Sequence, residues 1–411
     1  MRRSHLALLL VFAFALPVLV HADGEWPGWR GPESSGHSKE TNVPVKWDAK
    51  AVLWKIKLPG EGQSSPVIWG DRIFLTAAFD QGKKRIVFCV DRNTQKILWQ
   101  HEAWSGVPEK SHKMNGWATA TCATDGERVV AFFGKGGLHC YSVDGKKLWS
   151  RDLGEFEGIW GTSACPLMHG DLVIQNCDST KNAYVIGIDK RTGKDVWKTP
   201  RPTPLKGGWS SPVPVKSDGK TEIVINGEAF VIGYDPETGK ELWRCKAFNG
   251  RGEPTVAPGK GLAFVINGLT GDIYAVKIGG SGDVTKSHMA WHTPRSGDRD
   301  QPSPILVGGY LMTADMKGLA TCYDAATGKL LWRERIREGT YTSSPIAANG
   351  LVYFQNEAGV TTVLEPGPKL KVVSVNDVSP DASEIFRASL TPSKGQMFSR
   401  SQSHLYCIGT K

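Results

Sequence analysis

Helix signals are nearly missing from this sequence of 411 residues. Only 379–386 suggests one helical turn, and no longer stretch carries a 3.6-residue apolar period. Long apolar runs are missing too once the first 22 residues are passed, so no later segment is expected to span a bilayer. Lys and Arg outnumber Asp and Glu by 50 to 41, a formal charge of +9. No run of five or more basic residues exists, so the charge reads as a solvated surface and nucleic-acid binding is not expected. The eight cysteines form no Cys-x-x-Cys, haem-attachment or zinc spacing, which excludes those metal and redox classes.

What is there is Gly, Pro and Trp: 47, 24 and 15 residues. The organising stretch is Gly233-Tyr-Asp-Pro-Glu-Thr-Gly-Lys-Glu-Leu-Trp243. It reads as a strand end, a tight turn and the start of another strand. Asp235 caps its own backbone, Gly239 supplies a positive φ, and Leu242-Trp243 opens a strand whose indole wants burial. The frame recurs at 187–197 and 322–332, at 89–99 with Gln95 in place of the Gly, and one residue shorter at 140–149.

The landmark tryptophans are Trp54, Trp99, Trp149, Trp197, Trp243, Trp291 and Trp332, at intervals of 41 to 50 residues. That is the length of one four-stranded propeller blade. A hairpin dipeptide or close relative marks an earlier turn in each unit, from Gly70-Asp71 to Lys394-Gly395, and there are eight. The expected fold is all-β: an eight-bladed β-propeller of four-stranded antiparallel blades. Complete blades are expected at about 64–101, 118–151, 161–198, 209–245, 254–293, 301–336 and 341–375. Residues 386–408 hold three strands without a fourth, and 51–58 a fourth without three. The N-terminal strand should therefore complete the last blade and close the ring. Small-residue segments such as Ser64-Ser-Pro66 and Ser343-Ser-Pro345 are assigned to the innermost strands, where blades converge. Blade 7 lacks the Trp, and blade 5 has a longer third turn over 278–287.

Residues 1–22 have the pattern of a secretory signal: Arg2 and Arg3, an apolar run from Leu6 to Val20, and Val20-His-Ala22 as cleavage site. The run is short and holds Pro17, which disfavours a membrane anchor. An exported, periplasmic or otherwise extracytoplasmic soluble protein is expected, with no integral membrane segment after cleavage. Residues 23–50 have no strand period and should form a strap across the propeller, leaving 51–411 as the propeller. Cys89, Cys140, Cys322 and Cys407 share one repeat position and Cys122 and Cys165 another. Equivalent positions of different blades lie beyond disulfide reach, so these are read as small buried side chains.

The repeat Asp-x-x-Thr-Gly-Lys-x-x-Trp resembles the tryptophan-docking motif of PQQ-like (quinoprotein-type) β-propellers. The lead-in Trp26-Pro-Gly-Trp-Arg-Gly-Pro32 is similar to exported PQQ-like repeat proteins, and the BamB-like outer-membrane assembly family shares the repeat and blade number. The resemblance implies that each landmark Trp docks between neighbouring blades. It also implies a choice of function, because the superfamily contains enzymes and non-enzymes. Alcohol-oxidising members carry PQQ, Ca²⁺ and an adjacent Cys-Cys pair; this chain has no such pair and is shorter. The preferred reading is a binding or assembly scaffold of the cell envelope, with no catalytic residue, cofactor or metal assigned and a protein or peptide as partner. The alternatives are a PQQ- and Ca²⁺-dependent alcohol or sugar oxidoreductase and a carbohydrate-binding propeller. The loops between blades supply the candidate ligand rim: His112, Trp117, Trp160, Trp209, Arg251, Arg299, Asp300, Gln301, Tyr341 and Arg387. A blander alternative packs Trp117, Trp160 and Trp209 against the strap.

Overall fold

A computed structural model describes residues 24–202, 207–246, 248, 251–269, 271–295 and 302–410; the expected signal segment and Arg299, Asp300 and Gln301 lie outside the described residues. The strands form eight sheets. In blade 1, Val67–Trp69, Arg72–Phe79, Lys84–Asp91 and Ile97–Ser105 follow one another from the axis outward. The next six blades repeat this order. The eighth takes its outer strand from the chain start: Val52–Lys57 runs antiparallel to His404–Ile408, with Trp54 opposite Cys407. The ring is closed across the two ends of the described chain.

The inner and outer strands differ because they have different neighbours. The second and third strands of blade 1 are buried on both faces over Ile73–Ala78 and Arg85–Val90, sandwiched between adjacent blades, so their apolar runs are continuous. The outer strand alternates with solvent and leaves Ile97 and Leu98 exposed. The apolar clusters sit at interblade seams: one joins blades 4 and 5 through Val213, Trp243, Val265 and Tyr274, another joins blades 6 and 7 through Met312, Trp332, Tyr341 and Phe354.

Each landmark Trp faces a small residue directly across the ladder: Trp99 opposite Cys89, Trp149 opposite Cys140, Trp197 opposite Gly187, Trp243 opposite Gly233, Trp291 opposite Ala275 and Trp332 opposite Cys322. A bulge follows at once in each pair. A Cβ on Gly187 or Gly233 would run into its indole. Trp-less blade 7 has Val363 there, opposite Ser374. The shared cysteine position is thus a space limit under an indole. All eight cysteines are buried and unpaired, and burial pushes the Cys89 and Cys140 thiols up to about 12.

The indole N–H groups reach the next blade. Trp99 donates to Val143 O (2.9 Å), Trp149 to Lys190 O (3.0 Å), Trp197 to Pro236 O (3.1 Å), Trp291 to Ala325 O (2.9 Å) and Trp332 to Gly367 O (3.0 Å). The turn Gly of that next blade lies against the ring: Gly145 on Trp99, Gly193 on Trp149, Gly239 on Trp197 and Gly328 on Trp291, all at positive φ. Two landmarks depart from this. Trp243 donates instead to the carboxylate of Glu222 in its own blade (2.6 Å), because blade 5 has no such turn. Its 278–287 segment swings back, and Gly282–Asp283 adds a parallel fifth strand to blade 4. Trp54 packs on Phe398, centroids 5.8 Å apart. The turn it would dock on holds Gln95, and Arg92 of that turn covers Phe398 at 5.1 Å.

The expected inner strands begin later than their small-residue segments. Ser64-Ser65-Pro66 is extended coil, and the ladder starts at Val67. Segment 379–386 holds a tight turn, Glu384 N–H to Asp381 O, and no helix. The strap crosses the end of the ring where first and second strands meet. Trp26 exchanges backbone bonds with Ile68 in blade 1, Pro27 O accepts from Thr124 in blade 2, Arg30 donates to Pro304 O before blade 6, and Gly36 and Ser38 bracket Ala347 in blade 7.

Candidate functional site

At the opposite end of the ring the chain passes from the outer strand of one blade to the inner strand of the next. Described residues of these connections, among them Gln63, His112, Trp160, Trp209, Arg251 and Arg387, form the mouth of a cavity of about 180 Å³. Trp29 of the strap reaches the cavity from the far end and forms its floor.

Below the mouth lies a belt of small polar residues. In each blade one residue just before the inner strand donates its backbone N–H to the side chain of the equivalent residue in the next blade. Ser65 donates to Thr121 (2.8 Å), Thr121 to the sulfur of Cys165 (3.2 Å), Cys165 to Ser211 (2.9 Å) and Ser211 to Thr255 (3.0 Å). Thr255 donates to Ser303 (2.9 Å), Ser303 to Ser344 (2.9 Å), Ser344 to Ser389 (3.1 Å), and Ser389 returns to Ser65 (3.0 Å). The eight bonds close a circle of seven hydroxyls and one thiol, all facing the cavity. Small polar side chains are required because each must reach one amide across the narrowest gap between blades.

The mouth gathers part of the expected rim. Trp160 sits between His112, centroids 5.1 Å apart, and the Arg251 guanidinium, 5.1 Å above its ring. Asn115 Nδ2 donates to Trp160 O (2.9 Å). Arg251 faces Glu253 at 3.5 Å. Arg387 is paired with Glu357 (2.8 Å) and donates to Lys113 O (3.0 Å). Trp209 lines the cavity over Gly207. Among the described residues lining the cavity the arginines are thus paired, and two partly exposed indoles, Trp160 and Trp209, stand beside them.

Two rim residues are placed elsewhere. Tyr341 is 1 % exposed and belongs to the seam between blades 6 and 7; its loop turns inward so that the ring fills core. Trp117 does not line the cavity: its N–H is held by Glu109 O (2.9 Å) and its ring lies on Gly82. None of Trp117, Trp160 and Trp209 meets the strap by a hydrogen bond or ring contact, because the strap crosses the other end. Gln63 and Glu357 were not singled out by sequence, Trp29 was read only as part of the strap, and belt positions only as small inner-strand or buried residues. Ser-Ser-Pro, repeated ahead of several inner strands, was the one signal that could have found the belt.

Quinone enzymes of this architecture bring a metal, so the residues must be tested for one. Ca²⁺ takes about six to eight oxygen ligands, carboxylates prominent among them. Among the described lining residues the carboxylate is Glu253, and it faces Arg251. No group of three or more His, Cys, Asp or Glu among the described residues is clustered for a metal ion. The described lining residues thus offer such an ion a single carboxylate, already facing an arginine. No helix among them is long and apolar enough to cross a membrane.

Comparison with known proteins gives two kinds of relative. The chain is 25% identical over 229 residues to an outer membrane protein assembly factor BamB of Moranella endobia (strain PCIT), covering 52% of this chain and 55% of that protein. It is 21% identical over 202 residues to a polyvinylalcohol dehydrogenase of Pseudomonas sp, covering 44% and 30%. The chain thus spans about half, or less, of the length of these relatives. Among solved structures, BamB from Moraxella catarrhalis superposes with a TM-score of 0.64 at 16% identity, over 87% of this chain and 99% of that one. A europium-containing methanol dehydrogenase gives 0.69 at 11% identity, over 95% and 98%, and the computationally designed Ika8 protein 0.61 at 11%, over 86% and 98%. An assembly factor, an oxidoreductase and a designed protein thus share this architecture, which by itself does not fix a function. One family model matches in overlapping stretches, 38–175, 83–246, 181–278 and 269–377. With its blades, turns and docked indoles described, the chain belongs to the PQQ_2 family, the family of outer membrane protein assembly factor BamB.

Proposed function

We propose that this protein is a non-catalytic binding scaffold of the cell envelope, exported by its leader, and that it engages a protein or peptide partner at the mouth of the ring. The carrying observation is the asymmetry of the two ends. The strap crosses one end, while the other presents Trp160 and Trp209 beside a cavity whose charged groups are already paired, Arg251 with Glu253 and Arg387 with Glu357. Indoles flanked by neutralised arginines suit recognition by burial and cation–π contact. Among the described lining residues, none of the hydrogen bonds given above holds a nucleophile against a base, the arrangement that acyl transfer uses. The polyvinylalcohol dehydrogenase and methanol dehydrogenase likenesses favour a second reading, a quinone-dependent oxidoreductase. The donor set described above weighs against it.

A photo-crosslinking residue at exposed Lys113, on the mouth, should capture an envelope protein in cells, and the same residue at exposed Lys220, on the hairpin end, should not. Equal capture at both, or none at Lys113, would sink the scaffold reading. Adding PQQ and Ca²⁺ and following dye-linked alcohol oxidation tests the second.

A further inference from the structure

The belt has a polarity. Each of its seven hydroxyl oxygens already accepts an amide N–H from the preceding blade. None of those hydroxyls donates to a protein oxygen among the described residues, and only Thr121 and Ser211 have the Cys165 sulfur as an alternative acceptor, so at least five O–H protons are left for the lumen. The side chains are nonetheless buried, from 1 % exposed at Thr121 and Thr255 to 8 % at Ser344. A hydroxyl that accepts from an amide is a better donor, because the two bonds polarise one another.

A second, independent feature stands behind the belt. Two guanidiniums are fully buried with no carboxylate partner among the described residues. Arg400 donates to Ser64 O and Thr76 O (both 2.8 Å) and to the Ser64 hydroxyl, one residue from belt member Ser65. Arg30 donates to Pro304 O (2.8 Å) and Ser35 O (3.0 Å), one residue from belt member Ser303. Burial pulls both down to about 9, which leaves them charged at neutral pH. Uncompensated buried charge is costly. Both positive groups therefore project their field into a lumen walled by hydroxyl donors.

From this we infer that the belt is a binding site for an oxyanion, a carboxylate or phosphate group that enters through the mouth and accepts hydrogen bonds from the hydroxyls of adjacent blades. The inference deepens the scaffold reading and rests on it for the route of entry: a partner segment seated on Trp160 and Trp209 would place an acidic side chain or a free C-terminal carboxylate over the belt. Cys165 is the one weak donor in the circle, since a thiol is a poorer hydrogen-bond donor than a hydroxyl. It also shows that a Ser-to-Cys exchange is compatible with the ring.

The experiment is titration calorimetry of the mature protein at constant ionic strength. The probes are inorganic phosphate, then a short peptide with a free carboxyl terminus, then the same peptide amidated. Binding of phosphate, or of the free-acid peptide but not its amide, is the expected result; which probe binds tells a free ion from a partner's carboxylate. Cys165→Ser adds a donor and should tighten binding, and Ser303→Cys removes one and should weaken it, each by about tenfold, the scale of one hydrogen bond to a charged group. Because Cys165→Ser predicts a gain, misfolding cannot imitate it. No binding by any probe, or affinities indifferent to both substitutions, overturns the inference. Such a failure with crosslinking from Lys113 intact would leave the scaffold reading standing.

Discussion

Replacing Gly239 by alanine tests the docking of Trp197 more sharply than removing the Trp would. Gly239 holds φ +68, and a Cβ there would overlap the indole of Trp197. Two costs follow. An L-residue in the left-handed region costs roughly 1–2 kcal/mol, and forcing an extra methyl into a packed contact costs about 1–3 kcal/mol. The sum is about 2–5 kcal/mol. The same blade supplies the control: Gly219 holds φ +76 in the Asp218-Gly219 hairpin, and nothing lies within 4 Å of its would-be Cβ. Gly219→Ala should therefore cost the conformational part alone, about 1–2 kcal/mol. The assay is equilibrium urea unfolding followed by tryptophan fluorescence. Adding Trp197→Leu to Gly239→Ala should recover part of the loss, because the clash goes with the ring and contacting residues are non-additive. Equal losses at Gly219 and Gly239, or strict additivity with Trp197→Leu, would refute the idea that the turn Gly is a seat for the indole.

Glu222→Leu strands the buried Trp243 indole N–H and removes the acceptor of the exposed Gly279 amide, and should cost about 1–3 kcal/mol for the one buried unsatisfied group; an unchanged urea midpoint would show that the carboxylate does not replace the missing turn. Deleting 51–58 uncovers the His404–Ile408 edge and should give aggregates on size-exclusion chromatography, so a monomer of ordinary stability would disprove the closure. Acid should loosen the turns. Thr192 hydrogen bonds hold the Asp189 carboxyl below its usual range and Thr327 does the same for Asp324; at Asp235 burial pushes upward but Thr238 hydrogen bonds prevail. A depressed carboxyl contributes stability that is complete above the unfolded pKa of about 4 and is lost as pH falls through the lower folded value. The acid unfolding curve of Asp235→Asn should accordingly be shallower than that of the parent, and identical slopes would argue against these turns as the titrating elements.

Blade number, the strand order within a blade and the closing strand were all legible in the sequence, because each rests on short-range chemistry. An Asp caps its turn within three residues: Asp235 Oδ1 accepts from Thr238 N–H at 2.8 Å and from the Thr238 hydroxyl at 2.8 Å. A Trp then follows at fixed distance, and three unmatched strands at one end call for one at the other. Such signals survive in a single chain read without its fold.

The tertiary structure decided the rest. The belt joins residues about one blade apart in sequence, and a Ser looks the same whether it ends a strand or circles an axis. Which end the strap crosses depends on where Trp26, Arg30 and Gly36 find backbone partners in blades 1, 6 and 7. Tyr341 became core and Trp160 became surface, although both are loop aromatics ahead of inner strands. The indole of Trp243 found a carboxylate because blade 5 replaced its turn by an added strand. Contacts made only once the ring has closed depend on which residues meet around the axis, whereas the turn that begins each outer strand is fixed by residues within a few positions of one another.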